Sequence, residues 1–409
     1  VTQEIFTGSF TQQEPIPEAG IAAAVEVLRH GRLHRYNTVP GETAETAALE
    51  QEFAALTGAR YCLAVASGGA AIATALRAIG VGPGDQVLTN AFTLAPVPGA
   101  IAALGARPLL VEVSENLTID LDDLAAKAGK ARVLLISHMR GHVGDMDRLM
   151  AICNAAGVAV VEDCAHTMGA SWRGVPSGRH GVMACYSTQT YKHINSGEGG
   201  LITSDDDQAM ARAILLSGSY MLYPRHLAAP PPEVFEALKY DVPNISGRMD
   251  NLRAAILRPQ LPLLAVRVAR WSVLYQTLEA GLQGTKGLRL IPRPQAESYV
   301  GSSFQFLLPG WSAAQVQALL ARAAARGVDL KWFGADAPAA FTSRYDHWHY
   351  AHPSPLPQTD RVLAGLIDLR LPLTFSPADA ARIARIIRAE VLAVGEGATA
   401  PTAVRSGAD

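Results

Sequence analysis

Three stretches of this sequence combine residue types and spacings that suit chemistry. The first is Ser67-Gly68-Gly69-Ala70-Ala71, which follows the apolar run YCLAVA (61–66). Glycines at such a point let the backbone turn tightly and leave helix-terminal amides free to hold a phosphate. A plain turn reads the same way. The second is VAVVEDCAHTMGA, in which Glu162 and Asp163 close an apolar strand and His166 follows three residues on. Ligands of open α/β sheets sit at that end of the strands, and a carboxylate buried there needs a cationic partner to stay charged. A helix cap or a structural ion pair is the competing role for the acids, and a hydrogen-bonded loop position for His166. The third runs from Tyr186 and Ser187 through Lys192 to Gly197-Glu198-Gly199-Gly200. Lysine is scarce in this chain, occurring at positions 127, 130, 192, 239, 286 and 331. One that leaves a strand into a glycine-rich turn is poorly placed for a solvated face. Partial desolvation there would keep its amine neutral and nucleophilic; the competing role is to anchor the turn.

A phosphate cradle, a buried acid and a desolvated lysine on one sheet are the set that pyridoxal 5′-phosphate requires. The amides hold the phosphate, the carboxylate faces the protonated ring nitrogen, and the amine takes the aldehyde. A layered α/β domain must position them. The runs QVLT (86–89), RPLLVEV (107–113), RVLLIS (132–137), VAVVED (158–163) and GVMACYS (181–187) join YCLAVA as near-continuous apolar segments. Such strands belong to a mostly parallel sheet covered by helices on both faces. Helical stretches are predicted at 69–79, 95–105, 120–128 and 145–156, the last capped by Asp145 with Met146, Leu149, Met150 and Cys153 facing inward. After residue 205 the alternation stops. Residues 220–247 are loop-rich, around Pro224 and Pro230-Pro231-Pro232, and a long helix over about 249–283 should kink at Pro259 and Pro262. SSFQFLL (302–308), a helix near 312–326, VDLKWF (328–333), IDLRLPL (367–373) and a final helix then make a smaller α+β domain. Ser376 is the N-cap of that last helix, Pro377 its first residue, and Ile383, Ile386, Ile387 and Val391 its buried stripe. The expected division is a large domain with an N-terminal arm over 1–248, a smaller domain over 249–396 and a disordered tail over 397–409.

The segments SGGAAIATAL, MRGHVGDMDRLMAICNAAGVAVVEDCAHTMGA, ACYSTQTYKHINSGEGGLITSDD and GRMDNLRAAIL resemble the DegT/DnrJ/EryC1/StrS aminotransferases, also called sugar aminotransferases. The likeness runs from about residue 40 to 390, and its ED-x-x-H-x-x-GA stretch together with the Ser187, Lys192 and Gly197-Glu198-Gly199-Gly200 pattern is a specific combination. The resemblance implies the aspartate-aminotransferase-like fold type I and pyridoxal 5′-phosphate as cofactor. Carried over by position, it implies that Lys192 forms the internal aldimine, Asp163 pairs with the pyridinium nitrogen and His166 contacts the phenolic oxygen. Gly68, Gly69 and Ser187 would bind the phosphate. It further implies ping-pong transfer from glutamate or glutamine to a keto group on a nucleotide-linked sugar or a cyclitol, in a homodimer with shared sites. Two positions depart from the family pattern. Leu94 stands where an aromatic residue usually stacks on the ring, so Leu94 covers the ring or Phe92 takes over. Ser246 stands where the neighbouring subunit usually supplies an asparagine, and Asn244, two residues upstream, is the substitute. Pyridoxamine-dependent dehydratases of the same family carry histidine where Lys192 stands, and a non-catalytic regulatory protein would not need the full Asp163, His166 and Lys192 set.

Trp332 and Phe333, beside Lys331, and the Tyr345–Tyr350 cluster with His347 and His349 are the candidates to shape an acceptor pocket, since aromatic and hydrogen-bonding groups together suit a polyol. Packing of the small domain is their competing role. The histidines alternate around Trp348 without cysteine or carboxylate at ligand spacing, so no metal is expected. A chain that is 49% hydrophobic and 18% charged is not disordered. A formal net charge of −2 gives no reason to bind nucleic acid or anionic lipid. Cys62, Cys153, Cys164 and Cys185 sit in apolar runs without CxxC pairing and read as buried free thiols of a reducing cytoplasm. The opening VTQEIFTGSF lacks the basic-then-apolar pattern of a signal peptide, although Val1 is not a start methionine. The most apolar stretch, 91–111, is broken by Pro96, Pro98, Gly99, Gly105 and Arg107, which argues against a membrane span.

Overall fold

The computed structural model describes residues 4–397. Two helices, α1 (Glu18–His30) and α2 (Glu45–Thr57), precede β1 (Tyr61–Val65). Helices and strands then alternate as α3 (Gly68–Ala78), β2 (Gln86–Asn90), α4 (Pro96–Ala103), β3 (Arg107–Val111), α5 (Leu121–Lys127), β4 (Val133–Ser137), α6 (Met146–Ala156) and β5 (Ala159–Asp163). A short hairpin, β6 (Ser171–Trp172) and β7 (Val175–Pro176), leads to β8 (Met183–Ser187) and β9 (Gly200–Ser204). The seven longer strands form one sheet in the order β1-β9-β8-β5-β4-β2-β3. Strands β3, β2, β4, β5 and β8 run parallel, and β9 is antiparallel to both β8 and β1. Every residue of β1, β4, β8 and β9 is buried, as coverage on both faces demands. Register then decides what meets at the carboxyl ends. Ser137 lies opposite Asp163, and Asp163 opposite Cys185, two residues before Ser187.

Beyond the sheet come α7 (Asp207–Ser217), α8 (Pro232–Glu236), α9 (Asn251–Leu257) and α10 (Leu264–Leu282). The single kinked helix expected over this last region is two α-helices joined by a 3-10 segment, Arg258–Leu263, which contains both prolines. A second sheet follows from β10 (Arg289–Leu290), with β11 (Glu297–Ser298) pairing instead to β6. Then come β12 (Ser303–Leu307), α11 (Ala313–Ala325), β13 (Lys331–Trp332), α12 (Pro357–Ala364), β14 (Leu366–Arg370) and α13 (Pro377–Gly395). The second sheet has the order β10-β12-β14-β13. Its covering helix α13 starts at Ser376, whose hydroxyl accepts from the Asp379 N–H, and buries Ile383, Ile386, Ile387 and Val391 completely. One apolar cluster runs through both regions, from Leu88 and Leu134 under the first sheet to Phe304 and Ile387. Phe6 and Phe10, near the N-terminus, set their rings edge-on against Phe375 next to α13. Apart from Gly397, the tail expected to be disordered lies outside the described residues. Among the described residues all four cysteines are free and buried, and no helix is long and apolar enough to cross a membrane.

Candidate active site

Strands β4, β5 and β8 end, α3 begins, and β14 arrives from the second sheet, around a cavity of about 420 Å³. Successive residues of a strand point to opposite faces, and that parity separates the two acids at the end of β5. Asp163 lines the cavity. Its Oδ2 accepts from the Ser137 hydroxyl at 2.8 Å and its Oδ1 from the Ala165 N–H at 3.1 Å. Ser137 is itself fixed, because its N–H donates to Asn90 Oδ1 and its Oγ accepts from Thr93. Glu162 turns the other way and is fully buried. It accepts from the N–H groups of Gly178, His180 and Gly181 and faces His138 Nε2 at 3.1 Å. Burial alone would raise its pKa, but His138 and those amides hold it below the usual carboxylate value. Glu162 therefore organises a loop, and Asp163 is the acid of the cavity.

Lys192 stands on the loop between β8 and β9, which is closed by backbone bonds from Thr188 to Gly199 and from Thr190 to Gly197. Glycine is required here. A Cβ on Gly199 would lie 2.2 Å from Thr188 Oγ1, and one on Gly200 would lie 2.3 Å from the Ser67 carbonyl. The loop brings Lys192 Nζ to 3.2 Å from His166 Nε2. Burial pushes the lysine down to about 8; Asp163 opposes this, while Arg140 and Arg370 add to it. His166 is driven well below its ordinary value, by burial first and then by the charge of Lys192. A neutral imidazole at this place accepts from the lysine amine.

Ser67 caps α3, accepting from the Ala70 N–H at 3.1 Å. The amides of Gly68 and Gly69 lie in the first turn, where no intrahelical acceptor exists. A Cβ on Gly68 would approach Ser187 Cβ to 2.9 Å, so the bare helix end and the serine already touch. Amides, hydroxyl, acid and lysine share one cavity, and these residues fit pyridoxal 5′-phosphate. Leu94 lines the cavity, whereas Phe92 is buried behind it with its ring edge-on to Phe333 at 5.1 Å.

Asn244 does not reach the cavity of its own chain. It is exposed, with Oδ1 accepting from the Ser246 N–H. Nor do the four residues expected to shape an acceptor pocket line it. Trp332 is buried and donates to the Ala364 carbonyl, and Phe333 is a core residue. His347 is held between the Arg344 N–H and the Asp336 carbonyl, and His349 is exposed. The walls on that side are Tyr191, Phe341, Ser302, Arg140 and Arg370. Sequence reasoning passed over the two arginines. Arg140 lies three residues beyond the end of β4, where the strand-end rule points, and Arg370 is a lone cation in the apolar run IDLRLPL.

A profile of the DegT/DnrJ/EryC1/StrS aminotransferase family matches residues 16–388. A pleiotropic regulatory protein of Geobacillus stearothermophilus is 34% identical over 222 residues, covering 53% of this chain and 55% of that one. The UDP-2-acetamido-2-deoxy-3-oxo-D-glucuronate aminotransferase of Pseudomonas aeruginosa is 33% identical over 264 residues, covering 63% and 67%. The chain thus spans between about half and two thirds of the length of these relatives. Among solved structures, DesV of S. venezuelae in complex with a ketimine intermediate superposes with a TM-score of 0.76 at 26% identity, over 93% of this chain and 99% of that one.

Proposed function

The chain belongs to the DegT/DnrJ/EryC1/StrS aminotransferase family, and from that premise we propose that it moves an amino group from glutamate or glutamine to a keto group. The acceptor is a nucleotide-linked sugar or a cyclitol, and the two half-reactions alternate in ping-pong fashion. The observation that carries this reading is the convergence of Lys192, His166, Asp163 and the α3 N-terminus on one cavity. The activity for which the Pseudomonas relative is named supports a keto-sugar acceptor.

Pyridoxal phosphate, when bound, supplies the electron sink that lets a donor lose its α-proton. The chain's own residues do the rest. Gly68, Gly69 and Ser187 would hold the phosphate, and Leu94 would cover one face of the ring. Asp163, braced by Ser137, holds a proton at the ring nitrogen. His166, neutral, sits beside the lysine and would contact the phenolic oxygen. Lys192 would bind the aldehyde and, as an amine of lowered pKa beside His166, would act as the general base and acid that moves a proton at the donor's α-carbon. Residues up to 248 carry this machinery, and residues from 249 to 396 close it from the other side with Ser302, Ser303 and Arg370. A second copy of the chain supplies Asn244, and the four buried thiols suit a reducing cytoplasm.

A spectrum tests the reading. The purified protein should show a yellow absorbance band that Lys192→Ala lacks, and glutamate should bleach the band in the unmutated protein. An acceptor panel of nucleotide-linked keto sugars, cyclitols and simple keto acids should then restore it selectively. A protein that stays colourless after reconstitution with pyridoxal phosphate overturns the proposal.

A further inference from the structure

Two cations of the cavity have no task in that chemistry. Arg140 is buried and sits in the left-handed backbone region, with φ 55 and ψ 22, a conformation that a non-glycine residue keeps only when its surroundings impose it. The surroundings are on hand. Its guanidinium lies 3.0 Å from Asp368 Oδ2 and over the ring of Phe333. Asp368 is pinned in turn, its Oδ1 accepting from Gln305 at 2.7 Å. Arg140 Nε is nonetheless buried without an acceptor.

Arg370 follows Asp368 by two residues on β14 and so projects to the same face of the sheet. It stacks on Tyr191, with its guanidinium carbon 3.6 Å from the ring centroid. Among the described residues it has no carboxylate partner, yet it lines the cavity together with Arg140 and Lys192. A guanidinium stacked close on an aromatic ring in the wall of a cavity, without a carboxylate partner, is prepared for a planar anion.

We propose that Arg140 and Arg370 form a two-guanidinium seat for a carboxylate of the molecule that reacts at Lys192. The seat rests on the functional reading above and gives that site its preference for acidic reactants. The carboxylate belongs to the amino donor or to an acidic acceptor; the chemistry of recognition is the same.

The test uses the full chain loaded with cofactor and glutarate, a dicarboxylate that cannot react, titrated by calorimetry beside its neutral diamide. Arg370→Met should weaken glutarate by about tenfold or more, the scale of a lost charge-assisted hydrogen-bond pair, and leave the diamide unchanged. Arg370→Lys should recover part of the affinity, because charge returns without the fork. Arg140→Met alone would strand the buried Asp368, so it is paired with Asp368→Asn, and this double variant should lose glutarate as well. Single-turnover bleaching by glutamate that slows in Arg370→Met assigns the seat to the donor. A loss confined to reaction of the amine form with acidic rather than neutral keto acceptors assigns it to the acceptor. Glutarate binding as tight in Arg370→Met as in the unmutated protein overturns the seat. Arginine-dependent glutarate binding in a protein that neither glutamate nor glutamine bleaches keeps the seat and overturns the aminotransferase reading.

Discussion

Burial sets the protonation of Lys192. Its ammonium is brought to about 8 against the pull of Asp163, while an unfolded lysine titrates near 10.4. The unfolded chain therefore binds more protons between those values, and the cofactor-free protein should gain stability as pH rises through that window. Capture of the cofactor aldehyde by the cofactor-free protein, trapped with borohydride and read by mass spectrometry, should quicken up to about pH 8 and then level. A rate still climbing at pH 10 would show an ordinary exposed lysine. Asp163→Asn can keep the Ala165 bond but, on the proposed reading, could not hold a proton at the ring nitrogen. Bleaching by glutamate should slow by about a hundredfold or more, with the cofactor still bound on equilibrium dialysis. Ser137→Ala removes one brace of that acid, worth about 1 kcal/mol, and should slow the same step only several-fold. The place of Lys192 at the cavity was legible in the sequence because lysine is scarce and the turn after it is glycine-rich. Arg140 and Arg370 were not, because nothing local says that residues 230 positions apart face one cavity.

The start of α3 sets the tolerance of the proposed phosphate cradle, and its two glycines differ. A Cβ on Gly68 meets Ser187 Cβ at 2.9 Å, inside the distance real side chains adopt. Gly68→Ala should cost about 1–3 kcal/mol and weaken cofactor binding, read by thermal melting and by cofactor titration. Next to it, a Cβ on Gly69 finds its nearest atom, Ser67 Oγ, at 3.9 Å. Gly69→Ala should therefore leave melting unchanged or raise it slightly, since alanine is the better helix residue by about 0.5–1 kcal/mol. Equal losses in both variants would mean that amide access, not space, decides the cradle. Elements with strong local signals were legible. The continuous apolar runs became β1 to β5 and β8, and Ser376-Pro377 opens α13 as its cap chemistry dictates. Helices α1 and α2 carry no such start signal, for Pro17 and Ala44 precede them without a side-chain cap. VDLKWF, predicted as a strand, pairs only at Lys331 and Trp332, because β14 offers it a partner across two residues.

At the scale of the whole molecule, the site as built from one chain lacks the asparagine that the family resemblance assigns to it. Asn244 is exposed and outside its own cavity. The surrounding loop also exposes Tyr220, Met221, Tyr240 and Ile245, and Tyr240 is 84% exposed. Large apolar side chains carried together at a surface mark a contact, and a two-fold dimer would bring this loop of each chain to the other's cavity. Two consequences separate that arrangement from a merely structural role for Asn244. Light scattering should give twice the chain mass, and Asn244→Ala and Lys192→Ala should each be inactive alone. Co-expressed, the two variants form mixed dimers in which one site has both of its lesions and the other has neither. With random pairing, about a quarter of the sites are then intact, and glutamate-dependent bleaching should return to that fraction. If Asn244 instead served its own chain, every site in the mixture would keep one lesion, and a dimer of the right mass would stay inactive.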